Sequence, residues 1–255
     1  MSNHFTAMGL PVREPEDLSR VIGTALRGAA VEPAGGRLTL AVWREEPGAG
    51  VDVLLRKARW RGEPTVECAT PQFDGAGRQT VRVTSVVDDG ECPGCALAMI
   101  EVLDGGQMLY PLAVAPARVV AVRPRLEELA RSAEPIAASI VFVAEEIEVY
   151  ADEAAFSAAQ DTGGDFPGFA TESLVPAGLF SGGERPASAA LVHGVVTAAR
   201  KVAGTTFDAP FWHLTVRTLG GEFDVVAGTE GVGEVAMGNV VAVQAWVCGR
   251  IGDVA

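Results

Sequence analysis

The most reactive side chains in this sequence are its four cysteines, two of which form Cys92-Pro93-Gly94-Cys95. A redox Cys-x-x-Cys depends on a thiolate, which the N-terminus of a following helix stabilises. Here the following residues, Ala96 to Leu103, read as a strand, and the preceding Asp88-Asp89-Gly90-Glu91 would raise a thiol pKa rather than lower it. The motif therefore reads first as an exposed hairpin tip, with metal binding and redox activity as alternatives. A structural zinc would take Cys68 together with Cys92 and Cys95, and its fourth ligand would have to be His4, an acid or a group brought in by the fold. No cofactor is expected, zinc being the alternative. Cys248, within the last apolar run, reads as a small buried hydrophobe.

Other constellations are less complete. Gly231-Val232-Gly233-Glu234-Val235-Ala236 has the spacing of a dinucleotide-binding turn, but Gly238-Asn239 ends any helix it could open, so it reads as a connection between strands. His193 and His213 are expected as neighbours on adjacent strands, with no serine or cysteine motif beside them. Glu145, Glu146 and Glu148 read as a solvated face. Arg56, Lys57, Arg59 and Arg61, with Trp43 and Trp60, make the one concentrated basic run, suited to an acidic partner or to the acidic middle of this same chain.

The average field narrows the partners. With 20 Lys+Arg against 33 Asp+Glu the chain carries −13, which repels phosphate backbones and anionic lipid and argues against nucleic-acid or membrane-surface binding. No run approaches the roughly 20 apolar residues of a membrane-spanning helix, and the first residues lack a secretory pattern. A cytoplasmic protein is the expectation, in keeping with four cysteines that form no dense disulfide framework. Abundant Ala, Gly, Val and Arg with few Lys point to a high-GC bacterial genome.

The elements that must position these residues are read from periodicity. Leu18, Val21, Ile22, Ala25, Leu26 and Ala29 make one apolar stripe, predicting a helix over 14–30. Short β-rich runs follow: 37–44, 51–60, 80–87, 96–103, 108–112 and 119–122. A helix is expected over 124–133, a strand in the second part of 136–150, and a short helix capped by Asp152 over 153–159. The Gly- and Pro-rich stretch 161–185 reads as a long connection. Phe211–Leu219 and the residues after Gly220-Gly221 form a hairpin, in which Val216 is expected opposite Val225 and Arg217 opposite Asp224. Gly194 is expected at a bulge or bend, and the closing strand runs from Asn239 to Ile251. The fold class is α+β: a helix-plus-antiparallel-sheet domain over 1–135, a connecting region over 136–186 and a small barrel over 187–255.

That last unit resembles an OB-fold barrel through Val192-His193-Gly194-Val195-Val196, Leu219-Gly220-Gly221-Glu222-Phe223-Asp224-Val225-Val226 and Gly238-Asn239-Val240-Val241. The resemblance implies a binding face on the second and third strands. Trp212, His213 and Arg217 are then the candidate contacts there, joined by Trp43, Arg59 and Trp60 from the first unit. The leading expectation is a non-enzymatic protein acting through a protein partner. A small-molecule binder, or a thiol- or metal-dependent enzyme using Cys92 and Cys95, are the alternatives.

Overall fold

The computed structural model describes residues 3–60, 62–90, 94–160, 168–180 and 185–252. The predicted first helix is present as α1 (Pro15–Gly28), with Pro in its first turn and Asp17 accepting the backbone N–H groups of Arg13 and Glu14. It ends two residues before its expected limit, because Ala30–Pro33 pairs as an edge strand, β1, with β2 (Leu38–Arg44). The strands β3 (Ala49–Arg56) and β4 (Thr65–Phe73) complete a four-stranded antiparallel sheet in the order β1-β2-β3-β4. No strand is predicted over 65–73, where Pro71 lies within β4. At the sheet edge its missing N–H costs no bond.

Alternation divides this small sheet into two working faces. Ala41, Trp43, Val51 and Val53 point at Val21 and Ala25 of α1, forming a closed apolar cluster. Asp52, Leu54, Cys68, Thr70 and Gln72 share the opposite face, where Asp52 pairs with Thr70 and Leu54 with Cys68.

The remaining strands form a nine-stranded sheet: β5 (Gln79–Asp88), β6 (Ala96–Asp104), β7 (Gln107–Pro116), β8 (Ile136–Tyr150), β9 (Ser173–Val175), β10 (Ala189–Ala203), β11 (Pro210–Thr218), β12 (Gly221–Gly228) and β13 (Val240–Ile251). Its central ribbon is the antiparallel pair β8–β13, in register from Val240↔Tyr150 to Ile251↔Ala138. One half of the ribbon closes into a ring through β12, β11 and β10. The other half closes a second ring through β5, β6 and β7. Helix α2 (Val119–Ser132) packs Val122, Leu126 and Leu129 into a single apolar interior shared by both rings. A short helix α3 (Glu153–Gln160) is capped by Asp152, whose carboxylate accepts the Ala155 N–H at 2.8 Å, as predicted. The architecture is α+β with a barrel-like ring of strands. Strands from before residue 135 and after residue 187 hydrogen-bond into this one sheet, and the ring over the last unit is completed by β8 from the expected connecting region.

Three local expectations are corrected. Val119–Val122 opens α2 rather than forming a strand, since Arg118 takes a left-handed conformation (φ 55°) and its N–H is anchored on the Asp52 carboxylate at 2.7 Å. That anchor starts a helix in which the β-propensity of Val119, Val120 and Val122 is outweighed. The bulge of β10 lies between Val196 and Ala198, not at Gly194. A Cβ at Gly194 would come within 2.4 Å of Val216 Cγ1 and 2.5 Å of the Arg217 carbonyl oxygen, so glycine there permits close approach of the next strand. Third, the hairpin turns on Leu219-Gly220, which pairs Arg217 with Glu222 and Thr215 with Asp224. The two-residue shift keeps every side chain on its expected face and changes its partner. Tyr110 on β7 donates to the Leu219 carbonyl at 3.1 Å and holds the turn from outside the hairpin.

Candidate functional site

The face of the small sheet that α1 leaves free meets the large sheet across a cleft of about 510 Å³. Asp52, Leu54, Cys68, Thr70 and Gln72 form one wall. The start of β6 (Ala96, Leu97), the end of β7 (Ala115, Pro116), the first residues of α2 and Ser188 form the other, with Trp246, His4 and Glu145 at one end.

Each polar group has a traceable local cause. Asp52 is 5% exposed within the apolar run Val51-Asp52-Val53-Leu54-Leu55 of its strand. Besides the Arg118 N–H, its carboxylate has Arg44 Nη1 at 2.8 Å, an ion pair by distance. A buried carboxylate needs such partners, and here they tie β2 and β3 to the head of α2. Arg118 in turn bonds Glu32 of β1 through its guanidinium at 2.8 Å. Gln72 is 1% exposed, and its Oε1 has no hydrogen-bond partner among the described residues. A buried carboxamide oxygen left in this state costs roughly 1–3 kcal/mol, so it favours a donor arriving from the cleft. Where β8 and β13 pair there is a bulge at Glu145, between Gln244↔Glu146 and Ala245↔Ala144. The bulge turns Glu145 towards His4, whose Nε2 is 2.9 Å from Oε1. The His4 ring stacks on Trp246 at 4.6 Å.

Cys68 and Cys95 meet on this cleft, their Sγ atoms 3.6 Å apart. Cys95 is disulfide-bonded, whereas Cys248 is a free thiol. Cys92 lies outside the described residues, as does Arg61 of the basic run. Burial and then the nearby Asp89 raise the Cys68 thiol pKa. Among the described residues, no three His, Cys, Asp or Glu side chains are grouped to hold a metal. Cys248 is fully buried, and burial pushes its thiol up to about 12.

The other predicted contacts are dispersed. Trp212 is 4% exposed and faces the interior of the ring. Trp43 is buried beneath α1, edge-on to Phe207. Arg217 is exposed and pairs with Glu172 at 2.9 Å. Arg59 and Trp60 lie exposed on the connection between β3 and β4, and Trp60 retains 89% of its accessible surface. His213 is buried with its Nε2 2.7 Å from Asp224 Oδ1, and the Phe73 ring packs on it at 5.0 Å. His193 is not its neighbour: it bonds Ser173 at 2.9 Å and lies between Phe156 and Phe169. The outer face of β11, β12 and β8 is itself covered, because Ala7 and Met8 of a 3-10 turn (Thr6–Met8) and Phe73 pack against Val141, Val143, Phe211 and Val226.

Sequence reasoning passed over Asp52, Gln72 and Trp246. An acid in the middle of Val51-Asp52-Val53-Leu54-Leu55 is the signal that was available for the first, since an unpaired charge has no place in such a run. Gln72 and Trp246 carry no comparable signal, because the sheet-to-sheet approach that buries them is not a local property. The helices described are all too short or too polar to cross a membrane. Comparison of the chain with protein-family models, with curated proteins and with solved structures found no match.

Proposed function

We propose that this chain is a small-ligand-binding protein whose ligand occupies the cleft between the two sheets. The observation that carries the reading is the Gln72 carboxamide oxygen, 1% exposed and without a partner among the described residues, on the wall of a hollow of about 510 Å³. That volume lies within the roughly 300–1,000 Å³ of small-molecule sites, and an apolar lining with a few convergent polar groups is their usual composition. Leu54, Leu97 and Val120 supply the apolar lining; Gln72, Thr70 and Ser188 offer hydrogen bonds. The fitting ligand is compact and carries an N–H or O–H donor. Nucleic acid is disfavoured by the charge of −13, and the face on which OB-type barrels bind strands is buried under Met8 and Phe73.

The test is a library of amide- and amine-bearing fragments read by ligand-observed NMR on the wild type and on Ala187→Trp, which places a large ring at the exposed lip of the cleft. Fragments that bind the wild type and lose at least tenfold in affinity to the variant support the reading. Binding unaffected by Ala187→Trp, or no binding at all, refutes it.

Exposed Trp60 beside Lys57 and Arg59 favours a second reading, a contact with an acidic protein partner. Titration with a poly-glutamate peptide, followed by Trp60 emission and repeated on Trp60→Ala, tests it; an unchanged signal in low salt would reject it.

A further inference from the structure

We infer that the ligand of the cleft is an organic cation, a protonated amine on a compact apolar body, with the Gln72 carboxamide oxygen accepting one of its N–H groups. The inference rests on the reading of the cleft as a small-molecule site and names the class of molecule. Its first support is the charge of the lining. Asp52, Asp89 and Glu145 line the cleft, and among the described lining residues none is Lys or Arg. His4, at one end, is bonded to Glu145. Two nearby arginines lie outside the lining and are held by carboxylates: Arg44 by Asp52 at 2.8 Å, with Asp74 at 3.8 Å, and Arg118 by Glu32. An anion entering this space meets like charge, in a chain that carries −13 as a whole.

The second support is the Gln72 oxygen, which is independent of the acids. Gln72 lies opposite Gly50 of β3 and two residues along β4 from Thr70, so both side chains share the face of the sheet that α1 leaves free. Gln72 is 1% exposed, its Oε1 has no partner among the described residues, and a carboxamide oxygen only accepts. A charged donor satisfies such an atom best, since its hydrogen bond is roughly twice as strong as that of a neutral group. An ammonium has N–H donors and no acceptor, which suits a lining where Gln72, Asp52 and Thr70 present oxygens. Taking an ammonium out of water is costly unless opposite charge meets it, and the acids on the lining supply that charge. Leu54, Leu97 and Val120 receive the apolar body.

The experiment uses the full chain at about pH 7, where an aliphatic amine with a pKa of about 10 is protonated. Cyclohexylmethylamine, cyclohexylmethanol and cyclohexanecarboxylate share one body and differ in charge, as do benzylamine, benzyl alcohol and benzoate. Their dissociation constants are measured by ligand-observed NMR on the wild type, on Ala187→Trp and on Gln72→Met, with folding of each variant checked by urea denaturation. The amines should bind roughly tenfold or more tightly than the alcohols and carboxylates, and should lose roughly tenfold in each variant. An alcohol or carboxylate that binds as tightly as its amine and is lost in Ala187→Trp overturns the inference and leaves the cleft standing as a ligand site. Undiminished amine affinity in folded Gln72→Met also overturns it, because the oxygen would not be the contact. Binding of every compound unaffected by Ala187→Trp, or no binding by any, refutes the reading of the cleft and this inference with it. The ranking on the wild type, with its loss in Ala187→Trp, decides the class even where Gln72→Met does not fold.

Discussion

Truncating Asp224 to alanine tests the hairpin register and the buried pair that depends on it. Asp224 is 4% exposed and accepts hydrogen bonds from His213 Nε2 at 2.7 Å and from the Gly77 N–H at 2.8 Å. Removing the carboxylate strands both partners in an environment closed by Phe73 and Ser139, at roughly 1–3 kcal/mol for each buried group left unsatisfied. Asp224→Ala should therefore lower the unfolding free energy by about 2–5 kcal/mol, read from urea denaturation of the full chain. Arg217→Ala, which removes an exposed pair with Glu172, should cost about 0–1 kcal/mol. Double-mutant cycles sharpen the comparison: His213 and Asp224 should couple by more than about 1 kcal/mol, and Arg217 and Asp224 by less than about 0.5 kcal/mol. Coupling of Asp224 to Arg217 and not to His213 would mean that the register runs two residues away from the one described. Acid supplies an independent arm. Burial pushes the Asp224 carboxyl up, but the bonds from His213 and from the Gly77 and Ala76 N–H groups outweigh it and hold the pKa below the usual carboxylate range. The folded value thus lies under the unfolded one of about 3.9, so the stabilisation is present above that pH and is lost as pH falls through the folded value. Wild type and Asp224→Ala should converge in stability over that acid range.

Three further outcomes follow from the same geometry. Burial lowers the pKa of His193 below its ordinary value near 6.5, so stability should decline as pH falls from about 7 towards 5; His193→Gln should flatten that slope in urea melts collected across the range. Gly194→Ala forces a Cβ into Val216 and the Arg217 carbonyl and should cost roughly 1–3 kcal/mol by thermal or urea unfolding, whereas Gly35→Ala, which meets no atom but has φ of 87°, isolates the cost of backbone strain alone. Iodoacetamide applied to the folded protein should spare Cys248 at neutral pH and modify it only on unfolding, because its thiol is fully buried with a pKa of about 12.

Much of the fold was legible because its signals are local. The stripe from Leu18 to Ala29, the alternation of Phe211–Leu219 and the Asp152 cap each depend on residues a few positions apart, and each element formed where it was expected. Errors arose where a distant group decided. Val119–Val122 has strand propensity, but Asp52, far earlier in the chain, holds Arg118 in a helix-starting conformation. The hairpin had two registers that satisfy the same faces, and Tyr110 on the Leu219 carbonyl belongs to the one that formed. Trp43 and Trp212 were candidates for contact as large aromatic residues on short strands; α1 and the closing of the ring bury them.

The candidate site was less legible. Cys68 and Cys95 were linked in the sequence by residue type alone, and packing of the two sheets brings their sulfurs to 3.6 Å. Asp52 and Gln72 became functional candidates when that packing enclosed them. By itself the sequence determined the α+β class, most element positions, the negative field and which side chain lies on which face, because propensity, periodicity and charge act over short ranges. Only the tertiary structure decided that the ring over the last unit closes on β8, that a cleft separates the sheets and which polar groups line it. Those depend on contacts between strands far apart in the chain, whose desolvation and pairing energies no short window of sequence contains.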